Sequence, residues 1–146
     1  MAELSEVQSV IDRGGHRAVV SAVRADGSVQ SSLVVAGLTE HPVTGEPAAA
    51  FTTGTGAVKL RLLRARPQAS LVFQAGHHWA SVAGHTDLIG YDDPYDGVDT
   101  AHLRALLREV FTAAGGSHDD WAEYDRAMEE QRRTAVLIRP DRVFAM

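Results

Sequence analysis

The stretch TTGTGAVKLRLLRARP, residues 52–67, decides how this chain is read. Two hydroxyls, Thr52 and Thr53, end the short apolar run AAAFTT of residues 48–53, which reads as a strand. Gly54-Thr55-Gly56 breaks it, and Ala57 to Ala65 then has helical character until Pro67 stops it. A helix that starts on glycines offers unpaired N–H groups and a partial positive charge at its first turn. Such a place favours a phosphate, and each charge-assisted hydrogen bond to it contributes about 1.5–3 kcal/mol. Lys59, Arg61 and Arg64 supply the cations, and Arg61 and Arg64, three residues apart, share a helix face. The spacing is neither GxxxxGK[ST] nor GxGxxG. Periodicity alone fits a glycine turn followed by a solvated basic helix equally well.

Outward from this stretch the chain alternates short strands and helices. Towards the N-terminus, residues 3–13 place Leu4, Val7, Val10 and Ile11 at helical spacing before Gly14-Gly15. Residues 17–24 form a β-branched run, Asp26-Gly27 is a hairpin turn, and residues 29–38 read as one return strand. Residues 40–46 form a loop. Towards the C-terminus, residues 70–73 open another strand, a turn at residues 75–78 holds His77-His78, and residues 79–89 form a long strand. An acidic, turn-rich segment follows at residues 91–97. Residues 100–114 and 119–131 form two amphipathic helices, and residues 134–144 read as a closing strand pair interrupted by Pro140. Hairpin turns between the early strands predict a mainly antiparallel sheet. Short strands with an inserted helix predict a barrel flanked by helices, mainly β with an α+β character.

The chain has 146 residues, which fits one domain over residues 1–146 and a sizeable core. Hydrophobic residues make up 45% and charged residues 23%, ordinary values for a globular chain. With no cysteine, disulfides, thiolate metal sites and cysteine nucleophiles are excluded. The formal net charge of −5 disfavours general nucleic-acid binding. No apolar run reaches the ~20 residues of a membrane span, and the acidic start is unlike a signal peptide, so a cytoplasmic protein is expected. Among 14 cationic residues Lys59 is the sole lysine, a compact charge in a chain that otherwise uses Arg.

Other chemistries find less support. The seven histidines show no HExxH spacing, and exposed histidines without a metal are expected. No GxSxG nucleophile turn is present. Asp92, Asp93, Asp96 and Asp99 do not follow the EF-hand pattern; an acidic turn that caps the next helix near Asp99 or Thr100 is expected. Trp121 and Tyr124 read as core residues of their helix.

Four stretches in order resemble the pyridoxamine-phosphate-oxidase-like split-barrel superfamily, above all its actinobacterial F420-dependent and flavin-dependent oxidoreductases. They are residues 18–35, residues 51–73 with their Lys-x-Arg-x-x-Arg helix, residues 79–89, and residues 121–146. The resemblance implies a split β-barrel of the FMN-binding type and a homodimer with cofactor clefts at the subunit interface. It implies that Lys59, Arg61 and Arg64 hold a cofactor phosphate with help from Thr52 and Thr53. Gln30 and Ser31 are implied near the ring system, Trp79 and Ser81 on a strand bordering the ring from the partner subunit, and Arg133 at a basic position before the last strand. The implied cofactor is coenzyme F420, with FMN as the alternative. The implied activity is hydride transfer from reduced deazaflavin to a small conjugated or quinone-like acceptor; FMN-dependent catalysis, cofactor binding without turnover and haem degradation are the alternatives. The chain departs from the family at Leu62, where many relatives carry Asn, and at Ala57, where many carry Ser or Arg.

Overall fold

The computed structural model describes all 146 residues. Four helices and eight strands follow one another as α1 (Leu4–Gly14), β1 (Arg17–Val23), β2 (Val29–Val35), β3 (Gly37–Glu40), β4 (Pro47–Thr53), α2 (Val58–Ala65), β5 (Gln68–Ala75), β6 (His78–Gly90), α3 (Thr100–Ala113), α4 (Trp121–Glu130), β7 (Thr134–Ile138) and β8 (Arg142–Ala145). The strands pair antiparallel in the order β2-β1-β5-β6-β7-β4-β3, with β8 added to β6. β2 runs into β3 through Ala36, so the two ends of the path are joined by the chain itself and the sheet curls into a split barrel.

Two expected elements differ. Residues 29–38 are two strands, because β2 pairs with β1 while β3 pairs with β4 on the far end of the path. Gly37 marks the switch: a Cβ there would lie 2.0 Å from the Ala113 carbonyl oxygen, so only glycine lets α3 end against this corner. The strands at residues 134–144 do not pair with each other. β7 and β8 lie end to end along β6, opposite residues 86–90 and 80–83. Arg139, Pro140 and Asp141 bulge past Gly84, where a Cβ would lie 2.2 Å from the Arg139 carbonyl oxygen.

Strand alternation divides the apolar side chains between two cores. Phe51, Val136 and Ile138 face the barrel interior, where they join Leu71, Phe73, Val82, the α1 residues Val7 and Ile11, and Leu62 and Leu63 of α2. Ala48, Ala50, Ala135 and Leu137 face the other way, beneath Leu103, Leu106, Leu107 and Val110 of α3 and Tyr124 of α4. β7 is therefore buried at all five positions. Tyr124 belongs to this core, as expected; its hydroxyl donates to the Leu107 carbonyl at 3.0 Å, and burial pushes its pKa up to about 12. No helix is long and apolar enough to cross a membrane.

Candidate functional site

The β3–β4 ladder begins at Gly37 opposite Ala50. Continued by one register step at a time, it would place Val35 opposite Thr52 and Val34 opposite Thr53. The strands instead part there, since β2 follows β1 away from β4. The split opens a cleft of about 570 Å³ between Leu33, Val34 and Val35 on one side and Thr52 and Thr53 on the other. Lys59 of α2, Arg133 just ahead of β7, and Phe111, Gly115 and Gly116 at and after the end of α3 complete its lining. The fold thus brings Arg133 to Thr52, Thr53 and Lys59, which lie within one stretch of the sequence.

The electrostatics of this lining are unbalanced. Lys59 makes no salt bridge or side-chain hydrogen bond, and Arg133 makes only one side-chain bond, from Nε to the Gln131 Oε1 at 2.9 Å. Helix α2 starts at Ala57 with no side-chain cap and no acid in its first turn. The other three helices are capped, α1 by a Glu3–Glu6 capping box, α3 by Asp99 and α4 by Asp120. A phosphate fits what is missing here: it would satisfy free N–H groups of α2 and two cations without carboxylate partners.

The remaining expected site residues lie elsewhere. Arg64 is committed to Asp93: its Nε and Nη2 donate to the two carboxylate oxygens, each at 2.8 Å. It therefore ties α2 to the segment after β6 and does not line the cleft. Arg61 is exposed outside the cleft, without a carboxylate partner. Leu62 packs into the barrel core and Ala57 is the bare helix start, so neither family departure leaves a polar group at the cleft. Ser31 and Ser21 share a hydrogen bond of 2.8 Å on the outer sheet face, whereas the Gln30 Oε1 is enclosed with no partner. Trp79 and Ser81 lie on the outer face of β6, in the surface that continues from the cleft's Leu33. Cross-strand partners there run Leu33, Val19, Val72, Ser81 and Phe144. Four of these five are exposed apolar side chains, Leu33 the most at 72%.

Sequence reasoning did not single out Leu33, Val35, Phe111 or Gly115-Gly116 as cleft residues. The apolar run Leu33-Val34-Val35 carried the available signal, but it cannot say which face of a strand is solvent-bare. The histidines form no metal group of three or more ligands with acidic residues. His41 departs from the expected exposure at 6%. Its Nδ1 accepts the N–H groups of Val43 and Thr44 at 3.1 and 3.3 Å, and its Nε2 lies 3.1 Å from an Asp87 oxygen. Asp99 caps α3 through the His102 N–H, as expected, but Asp92 and Asp93 pair with Arg132 and Arg64 instead.

No protein-family model and no curated protein matches the sequence. Solved structures do match in fold. A haem-binding protein from Mycobacterium smegmatis superposes with a TM-score of 0.66 at 17% identity over 100% of this chain, which spans 55% of that protein. A pyridoxamine 5'-phosphate oxidase-related, FMN-binding protein from Nostoc punctiforme gives 0.65 at 16% identity, covering 99% of this chain and 84% of its own. An F420 reductase gives 0.63 at 16% identity over 94% of both chains. In architecture, then, the chain is a split β-barrel of the kind seen in pyridoxamine 5'-phosphate oxidase-like, FMN-binding proteins.

Proposed function

We propose that this chain binds a phosphate-bearing flavin-type cofactor in the split of the barrel and works as an oxidoreductase, with coenzyme F420 as the cofactor. The observation that carries this reading is the convergence of Lys59 and Arg133, neither with a carboxylate partner, beside Thr52, Thr53 and the uncapped start of α2. When bound, the cofactor supplies hydride transfer to a small conjugated or quinone-like acceptor. Lys59 and Arg133 hold its phosphate, Thr52 and Thr53 orient it, and Leu33, Val35 and Phe111 give the cleft an apolar wall that excludes water. The solved F420 reductase and FMN-binding protein of the same fold support this class of activity. Arg61 and Arg66, exposed and without carboxylate partners beyond the cleft, suit the additional anions of an F420 tail. FMN is the second reading, favoured because the two cations inside the cleft match a single phosphate.

The same reading includes a homodimer formed through the exposed apolar row from Leu33 to Phe144. It continues from the cleft, so a second copy seated there would close the open side of the site over Leu33 and Val35. Side-by-side titration with F420 and FMN tests the cofactor: quenching of F420 fluorescence is expected, and binding of neither compound overturns the proposal. Sedimentation velocity tests the dimer. Leu33→Asp is expected to yield monomers, and an unchanged sedimentation coefficient removes this face from the interface.

A further inference from the structure

Behind the cleft, the segment at the end of β6 grips both elements that carry its cations. Gly90 and Asp93 exchange backbone hydrogen bonds of 3.0 and 3.1 Å, which closes residues 90–93 into a tight turn. Asp93 takes both nitrogens of Arg64 from α2, the helix of Lys59, and also the Thr134 hydroxyl at 2.6 Å, one residue after Arg133. Asp92 accepts from Nη2 and Nε of Arg132 at 2.6 and 3.1 Å, and the Tyr91 carbonyl accepts from the same Nη2 at 3.1 Å. Arg132 is the chain's one non-glycine residue with a positive φ, 50°, a conformation that surrounding contacts must hold. The Tyr91 N–H meets the carbonyl of Arg133 itself at 3.4 Å. Close approach is built in at Gly90, where a Cβ would lie 2.3 Å from the Thr134 hydroxyl oxygen.

Resting on the reading of the cleft as a phosphate site, we propose that the 90–93 turn is a brace that fixes Lys59 and Arg133 in place relative to each other, with Asp92 and Asp93 as positioning residues. Asp93 fixes α2 through Arg64 and fixes β7 through Thr134; Asp92 holds the strained Arg132 that aims its neighbour at the cleft. Neither carboxylate lines the cleft. Two like charges brought to one anion repel each other when it is absent, so their spacing has to be imposed from behind.

Asp93→Asn separates this proposal from direct phosphate binding by Arg64. Were Arg64 a ligand, releasing it from Asp93 would leave phosphate affinity unchanged or raise it. The brace requires a loss, of about tenfold for residues coupled in one network. The probes are inorganic phosphate, followed by backbone amide shifts, and FMN, followed by fluorescence, both on the full chain. In a Lys59→Ala background Asp93→Asn is expected to cost little further; additive losses overturn the proposal. Asp92→Asn alters an exposed carboxylate and leaves the cores untouched, so it serves where Asp93→Asn fails to fold. Its expected loss of phosphate affinity vanishes in an Arg133→Ala background, and unchanged affinity in the single variant overturns the proposal. If Lys59→Ala weakens binding while both carboxylate variants do not, the brace alone is wrong. If wild-type protein binds neither probe, the phosphate site itself is wrong and the brace falls with it.

Discussion

Two of the polar clefts in this barrel are built on opposite principles. At the split between β2 and β4, Lys59 and Arg133 face an opening with no carboxylate to answer them. At another, about 440 Å³, the central pair His41 and Asp87 answer each other. His41 uses both ring nitrogens, Asp87 is its partner, and Arg139 and His85 stand 3.7 and 3.6 Å from the same carboxylate. Because two backbone N–H groups point at Nδ1, the hydrogen of the neutral ring sits on Nε2 and is donated to Asp87. A balanced cluster stabilises its own loop and leaves nothing for a ligand to satisfy. An unbalanced one leaves its charges free to take a partner from solution. Volume does not separate the two clefts; the accounting of partners does.

That contrast can be broken by substitutions whose effects fall on different observables. The largest belongs to the balanced cleft. His41→Ala leaves two backbone N–H groups without a partner and removes the shortest contact of Asp87, so unfolding in urea should show a loss of about 2–3 kcal/mol with cofactor affinity unchanged. A ligand effect without a stability effect would mean that this cleft is the binding site. Next is Lys59→Ala, expected to weaken F420 or FMN binding at least about tenfold, or 1.4 kcal/mol, with an unaltered urea midpoint. An unchanged dissociation constant would remove Lys59 from the site. A smaller effect follows from pH. The Arg64 guanidinium, with the Thr134 hydroxyl, holds the Asp93 carboxyl below the usual carboxylate range against the opposing cost of burial. Its stabilisation is present above the unfolded-state value of about 4 and is lost as pH falls through the lower folded value. The Tm difference between wild type and Asp93→Asn should therefore hold constant from pH 7 to pH 5 and narrow only in stronger acid. Narrowing already between pH 7 and pH 5 would show the pair is not formed. The smallest effect is that of salt. Raising ionic strength from 0.1 to 1 M shortens screening from about 10 to 3 Å and should weaken phosphate binding at the half-exposed Lys59 and Arg133 while sparing the buried His41–Asp87 contact.

Much of the fold was legible because its local rules were obeyed. Apolar spacing marked α1, α3 and α4, Asp26-Gly27 marked the first hairpin, and the run through Thr53 marked β4. The illegible parts depend on contacts distant in sequence. Nothing in VQSSLVVAGL announces that Ala36 must change partners, since the reason is the approach of Ala113 to Gly37. The end-to-end placement of β7 and β8 likewise depends on Gly84 of β6. At the candidate site the glycine turn, Lys59 and the threonines were visible as a local motif. The diversion of Arg64 was not, because Asp93 lies 29 residues away and its helix-side pairing has no periodic signature. Resemblance, rather than pattern, picked out Arg133.

The sheet order has a consequence for synthesis of the chain. β4 has β3 on one side from the start, but its other partner is β7, where Phe51 meets Val136. During translation the inner edge of β4 thus has no partner until residues 134–138 have left the ribosome. Pairings this far apart in sequence form late and slowly, and an apolar strand waiting with an open edge is a site for aggregation. A chain truncated before Thr134 should therefore depend on chaperone cover far more than the 146-residue chain released from the ribosome.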